Sequence, residues 1–248
     1  MRGQVQDKFS EFYEQWVNQH EVNLKELLSV PRDPSSSSNE QLHRALVSKV
    51  VIHYKQYYTV KWASAKDDVL GFFSPTWFSS LENAYHWITG WKPSMLFRLI
   101  TSLRQTRVPG ANLVDMTEEQ LEKIQELLIQ IRIEEDRVDR EMERQQVSIA
   151  DKPMVDLSRL ATQVNNGEVV GELDKYVDVT LSSLLAGLEN VMKMADCVRL
   201  MALKGVLEVL NPLQSVDFLA AIAMLQIQLR VVGKRRDHAK MMTLNQKD

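Results

Sequence analysis

Cysteine is almost missing from this chain: Cys197 is the only one in 248 residues. A single thiol forms no intrachain disulfide, which excludes the stapled secreted scaffolds and fits a reducing compartment, nucleus or cytoplasm. Glycine (nine) and proline (seven) are scarce as well. That scarcity disfavours a turn-rich β-sandwich and favours long helices. No alternating strand pattern of useful length and no repeat of 20 to 50 residues is found. Long apolar runs are also lacking. The most apolar, Phe218 to Leu225, is far too short to span a bilayer, and MRGQVQDKFSEF at the start has no signal-peptide core. No membrane association is therefore expected. Neither charge sign dominates, with 30 Lys and Arg against 33 Asp and Glu and a net charge of −3. The chain as a whole is no nucleic-acid-binding polycation.

Catalytic signatures are missing too. There is no glycine-rich phosphate loop, nucleophile elbow or HExxH. A di-iron bundle needs two Glu-x-x-His pairs, and only Glu40 with His43 has that spacing. His53 and His86 fall on aromatic and apolar helix faces. Glu82 lies one turn before His86, which predicts a local hydrogen-bonded pair rather than acid–base chemistry. Cys197, in an apolar mid-helix context, is expected to be a buried, inert thiol. His238 stands alone near the C-terminus and offers no paired axial ligands for haem. The expectation is a protein that is not an enzyme, with no catalytic residue, cofactor or metal site.

What is present is helical periodicity. The apolar fraction is 44% and the charged fraction 25%, ordinary for a globular chain. Phe9, Phe12, Tyr13, Trp16, Val17, His20, Leu24, Leu27 and Leu28 recur at steps of three and four, predicting a helix over 5–29. Pro31, Pro34 and a serine run end it. Ser38 and Gln41 read as a capping box for a second helix reaching about Leu70, with Leu42, Leu46, Val50, His53, Tyr57 and Val60 on one face. Ser79 and Glu82 cap a third, predicted to bury Leu81, Tyr85 and Ile88 and to end at Gly90. Pro93 opens a fourth through about Gln105. Thr117 to Gln120 is the clearest start, with Met116 and Leu121 as its staple. The seam Leu121, Ile124, Leu128, Ile131, Val138, Met142, Ile149, broken at Glu135 and Gln145, predicts a long helix to about Ala150. It is either satisfied within one chain or part of a homodimer interface. Further helices are predicted between Pro153 and Val164, from Glu172 to Val209, and from Asn211-Pro212 to about Val232. The fold class is therefore all-α, a mostly antiparallel bundle of long helices. We read it as a single domain over 5–236 and a flexible tail over 237–248.

The aromatics are concentrated between His53 and Ile100, which holds every tryptophan except Trp16. Trp62, Trp77, Trp87 and Trp91 are core by frequency, with a ligand pocket between helices as the sharper alternative. Lys234, Arg235 and Arg236, near His238 and Lys240, are candidate phosphate contacts; as cations near a helix end they also complement its dipole.

One ordered set of motifs is more specific. It runs from Phe9-Ser-Glu-Phe-Tyr-Glu-Gln-Trp16 to His53-Tyr54 and Lys61-Trp-Ala-Ser-Ala-Lys-Asp-Asp68. Trp77, Trp87, Gly90 and Pro93 follow, then Met116-Thr-Glu-Glu-Gln-Leu121 and Ala195-Asp196 with Arg199. Together these resemble the plant DELAY OF GERMINATION, or seed dormancy control, domain, also the C-terminal half of TGA-type bZIP transcription factors. The likeness spans about Phe9 to Arg236. No basic region or zipper precedes it here, so the expectation is a stand-alone, dormancy-type member without direct DNA binding. The resemblance implies a non-enzymatic regulator in seed dormancy, germination or abscisic-acid signalling. Implied partners are type-2C protein phosphatases, or bZIP factors for a nuclear co-regulator. Tyr13 and Trp16, taken as exposed on the first helix, and Trp87 with Trp91 in the aromatic turn are the candidate partner-binding residues. A small-ligand module is the third reading.

Overall fold

A computed structural model describes residues 2–32, 37–105, 112–152, 154–156, 158–159 and 171–245. Among them are eight α-helices: α1 (Arg2–Ser29), α2 (Ser37–Ala65), α3 (Leu70–Phe73), α4 (Ser80–Ala84), α5 (Met95–Gln105), α6 (Glu118–Val147), α7 (Gly171–Val209) and α8 (Pro212–Asn245). The described residues contain no strand, only an isolated bridge between Trp87 and Gly90. The all-α expectation holds.

The long helices pack antiparallel. α1 runs against α2, with Trp16 beside His53 and Glu26 beside Lys49. It runs against α8 in the same sense, with Glu14 beside Arg230 and Arg32 beside Asp217. α6 and α7 form a second antiparallel layer, where Gly187 faces Gln145 and Gly205 faces Leu127. α7 returns into α8 across Leu210 and Asn211, joining the layers. The core is continuous through both, and Leu27, Leu96, Ile131, Met192, Phe218 and Leu219 are fully enclosed in it.

Local signals explain most starts. Thr117 Oγ1 accepts from Gln120 N while Gln120 Oε1 accepts from Thr117 N, a complete capping box at α6. Asn211 and Gln214 exchange the same two bonds at α8, and Ser79 and Glu82 do so at α4. Ile124, Ile131 and Val138 of the predicted seam are buried along α7. Glu135 interrupts the seam yet is buried, because its carboxylate accepts the Ser94 N–H at 2.6 Å, one residue before α5. Burial raises its pKa.

Several expectations are corrected. α2 ends at Ala65, not near Leu70, because Asp68 turns the chain: its carboxylate accepts from Gly71 N and from Gln6 Nε2. α2 also begins at Ser37, so Ser38 lies inside it rather than capping it. α4 is barely more than a turn, and Tyr85 beyond it is 70% exposed instead of buried. Cys197 is exposed, not buried. Ile149 is exposed too, at the far end of the seam.

The last helix does not release after Val232 but continues to Asn245. At Gly233 a Cβ would overlap the Ser79 hydroxyl, so its absence lets α4 lie on α8. Asp237 then accepts the Ser80 N–H at 2.8 Å, and Lys234 reaches Glu14 at 3.0 Å. Part of this helix, Pro212–Thr243, is long and apolar enough to cross a membrane by length and composition. Half of that apolar window is buried in the bundle, where Val216, Phe218, Leu219 and Ile222 are core. The helix expected between 153 and 164 and its stop at 165–167 lie mostly outside the described residues; the described positions from 154 to 159 are helical.

Candidate functional site

α1, α2 and α8 meet over an aromatic stack. Trp16, His20 and His53 form a triangle of near-parallel rings, with centroids 4.8 Å apart for Trp16 and His20, 4.7 Å for Trp16 and His53, and 5.5 Å for His20 and His53. The Trp16 indole N–H donates to the His53 carbonyl at 3.2 Å. Periodicity dictates this: positions 9, 13, 16 and 20 of α1 share one face, as do 50, 53, 57 and 61 of α2. Burial lowers the pKa of His20 and His53 to about 4, so both imidazoles are neutral. His20 is 1% exposed, and its imidazole meets the Gln226 side chain of α8.

Two turns further along α2 sits a buried ionic cluster. Lys61 Nζ donates to Asp196 Oδ1 at 2.8 Å and to the Thr89 hydroxyl and carbonyl at 2.9 and 3.1 Å. Arg199 donates to the same Asp196 oxygen at 2.6 Å. Trp62 Nε1 donates to the other oxygen at 2.9 Å, so both carboxylate oxygens accept. Arg199 also donates to the carbonyls of Trp87, Ile88 and Trp91. These bonds fasten the turn 87–90, where Ile88 and Thr89 stand at φ 39° and 60°. Positive φ in a β-branched residue is strained and persists only when surroundings over-determine it. Here two buried cations hold four carbonyls of the turn and its flank. Burial lowers the pKa of Lys61 to about 8, opposed by Asp196.

Between these two features lies a cavity of about 560 Å³. Its walls include Tyr13, Trp16, Tyr57, Tyr58, Phe78 and Trp91, with His20, His86, Lys61, Asp196 and Arg199 among its polar groups. The exposed side chains Tyr85, Lys92 and Leu225 mark its mouth. His86 does not pair with Glu82. It packs edge-on against Phe78 at 4.5 Å, while Glu82 is taken by Ser79 and Arg230. Burial, then the charges of Arg199 and Lys61, lower its pKa to about 4.

Of the candidate partner-binding residues, Tyr13, Trp16 and Trp91 line this one cavity. Tyr13 and Trp16 are 7% and 9% exposed, so they do not form the outer face expected of them. Trp87 stands behind the turn, its N–H donating to Asp139 at 2.7 Å and its ring flanked by Lys92 and Arg199. Lys234 is tied to Glu14, whereas Arg235 and Arg236 are exposed on α8. The Glu40 and His43 pair separates: Glu40 binds Arg44, and His43 Nε2 lies 2.8 Å from the Pro31 carbonyl. The described residues hold no group of three or more His, Cys, Asp or Glu placed to hold a metal. Periodicity did not single out the cluster of Lys61, Asp196 and Arg199 as a site. Its signal was available: three charged residues occupy helical positions that the pattern otherwise assigns to core.

Fold and site define a class, a helical bundle with an aromatic cavity and a strained, ion-clamped turn. Comparison with known proteins makes the class specific. Residues 23–102 match the family model described as seed dormancy control. The chain is 46% identical to Protein DOG1-like 4 of Arabidopsis thaliana, over 96% of this chain and 97% of that protein. It is 31% identical to Protein RESPONSE TO ABA AND SALT 1 of the same plant, over 90% and 93%. It is 27% identical to Transcription factor TGA2.3 of Oryza sativa subsp. japonica, over 89% of this chain but 62% of that longer protein. The chain belongs to the DOG1, or seed dormancy control, family.

Proposed function

We propose that this chain is a plant regulatory protein, not an enzyme, that acts in seed dormancy and abscisic-acid responses by binding other proteins. The observation that carries this reading is its end-to-end likeness to Protein DOG1-like 4, joined by its likeness to Protein RESPONSE TO ABA AND SALT 1. The geometry is in keeping with it. Glu82, Asp196 and the buried imidazoles are either bonded to structural partners or held neutral. Type-2C protein phosphatases are the partners that this reading puts first. The match to Transcription factor TGA2.3 supports a second reading, in which the chain associates with TGA-type bZIP factors in the nucleus. The test is pairwise: purified chain titrated with each of the two partner classes by calorimetry. Saturable binding to a phosphatase with none to a bZIP factor supports the first reading. The reverse result replaces it with the second, and binding to neither overturns both.

A further inference from the structure

Every buried charged group in the cavity wall is answered from within the chain. Lys61 gives its N–H groups to Asp196 and to the Thr89 hydroxyl and carbonyl. Arg199 gives its own to Asp196 and to the carbonyls of Trp87, Ile88 and Trp91. Arg230 is held by Glu82, by Glu14 and by the Trp77 carbonyl. An ion entering here would be buried without a counter-charge to receive it, which is costly. What suits the cavity is uncharged.

The phenols are in the opposite condition. Tyr54 donates to Gln226 Oε1 at 3.0 Å. The hydroxyls of Tyr13, Tyr57 and Tyr58, in the same wall, make no hydrogen bond among the described residues. They are also not among the sealed polar atoms, so they open onto the cavity. Burial first, and then neighbours that include Tyr57, raise the pKa of Tyr13 and Tyr58. The three phenols therefore lie near one another and keep their protons. An O–H in an apolar enclosure calls for a partner. Trp91 adds a flat surface. Trp16 and Trp77 pack on other rings, and Trp62 and Trp87 donate to Asp196 and Asp139. The Trp91 indole has neither a ring partner nor a hydrogen bond among the described residues, and it lines this cavity. About 560 Å³ lies within the range of small-molecule sites. We infer that the cavity is a binding site for a small, flat, uncharged aromatic compound that carries hydroxyl groups. Its ring lies on Trp91, and a hydroxyl meets the phenols of Tyr13, Tyr57 and Tyr58.

The test titrates the intact chain with trans-4,4′-dihydroxystilbene and follows tryptophan emission. Saturable one-to-one binding is expected below about 0.1 mM. Two analogues are expected to bind at least about fivefold more weakly. One is trans-stilbene-4,4′-dicarboxylate, which keeps the shape and adds charge; the other is 4,4′-dihydroxybibenzyl, which keeps the hydroxyls on a flexible link. The double variant Tyr57→Phe/Tyr58→Phe keeps both rings and breaks no hydrogen bond of the fold. It is expected to weaken the dihydroxy compound about fivefold or more and to leave trans-4,4′-dimethylstilbene, which has no hydroxyl, unchanged. No saturable binding by about 0.1 mM overturns the inference. A dicarboxylate that binds as tightly as the diol overturns the uncharged class, and an equally tight bibenzyl overturns the flat ring. A double variant that weakens both stilbenes alike, or neither, overturns the hydroxyl contact. None of these outcomes depends on a protein partner being found.

Discussion

His20 shows what one residue does to the whole chain's response to acid. Its folded-state pKa is about 4 against an ordinary 6.5, because burial penalises the imidazolium. The unfolded chain therefore takes up the proton first on acidification. The contribution of this side chain is constant above about pH 6.5 and falls as pH drops toward 4, by about 3 kcal/mol at full effect. His53 and His86 act in the same direction. His20→Phe keeps a flat ring beside Trp16 and removes the titrating group. Urea unfolding at pH 5 and pH 7 is expected to show the variant losing less stability between the two than wild type. Equal losses would mean that the imidazole is charged in the folded chain. His20 was legible in sequence as a core position, since it continues the α1 stripe. Its neighbours were not, because His53 and Gln226 are brought to it by α2 and α8.

At the scale of elements, what was readable was what is local. The pairs Thr117–Gln120, Ser79–Glu82 and Asn211–Gln214 are three residues apart, and each forms its reciprocal bonds as the spacing dictates. Thr117→Ala is expected to cost about 1 kcal/mol in urea unfolding, the ordinary worth of such a cap. Less readable were features set by a distant partner. Gly233 follows the expected end of the last helix at about Val232 and is the contact that lets α4 lie on α8. Gly90 has the same character: a Cβ there would come 2.9 Å from the Arg199 guanidinium carbon. That guanidinium is held by Asp196 and three carbonyls and has little room to withdraw. Gly90→Ala is expected to destabilise by about 1–3 kcal/mol, the usual range for overpacking. Gly3→Ala, in a helix where a Cβ meets nothing within 4 Å, is the control and is expected to raise stability by up to about 1 kcal/mol. If both variants behave alike, the clamp on the turn is slacker than its hydrogen bonds imply.

The molecule as a whole is two antiparallel layers, α1, α2 and α8 against α6 and α7, and the Asp196 carboxylate is the polar point where they meet. Asp196 belongs to α7, Lys61 and Trp62 to α2, and the turn fastened by Arg199 leads into α5. A hydrophobic interface alone would let the layers settle in more than one register. A carboxylate that must receive a lysine, an arginine and an indole at once admits one. Asp196→Asn keeps the shape and removes the charge, leaving Lys61 and Arg199 buried together without a counter-ion. Breaking a buried ion pair in this way is expected to cost about 3–5 kcal/mol. The expected signature is also spatial: in native-state hydrogen exchange, amides of α2, α7 and the 87–90 turn lose protection together. Loss confined to α7 would show that apolar packing alone holds the layers in register and that the ionic cluster serves only its own helix. Raising the pH provides an independent check, because Lys61 titrates near 8 in the folded chain against an ordinary 10.5. The unfolded chain keeps that proton through this interval and the folded chain gives it up. The lysine's contribution therefore makes wild-type stability rise as pH increases from about 8 toward 10.5, and Lys61→Met, which has no amine to titrate, is expected to lack that slope.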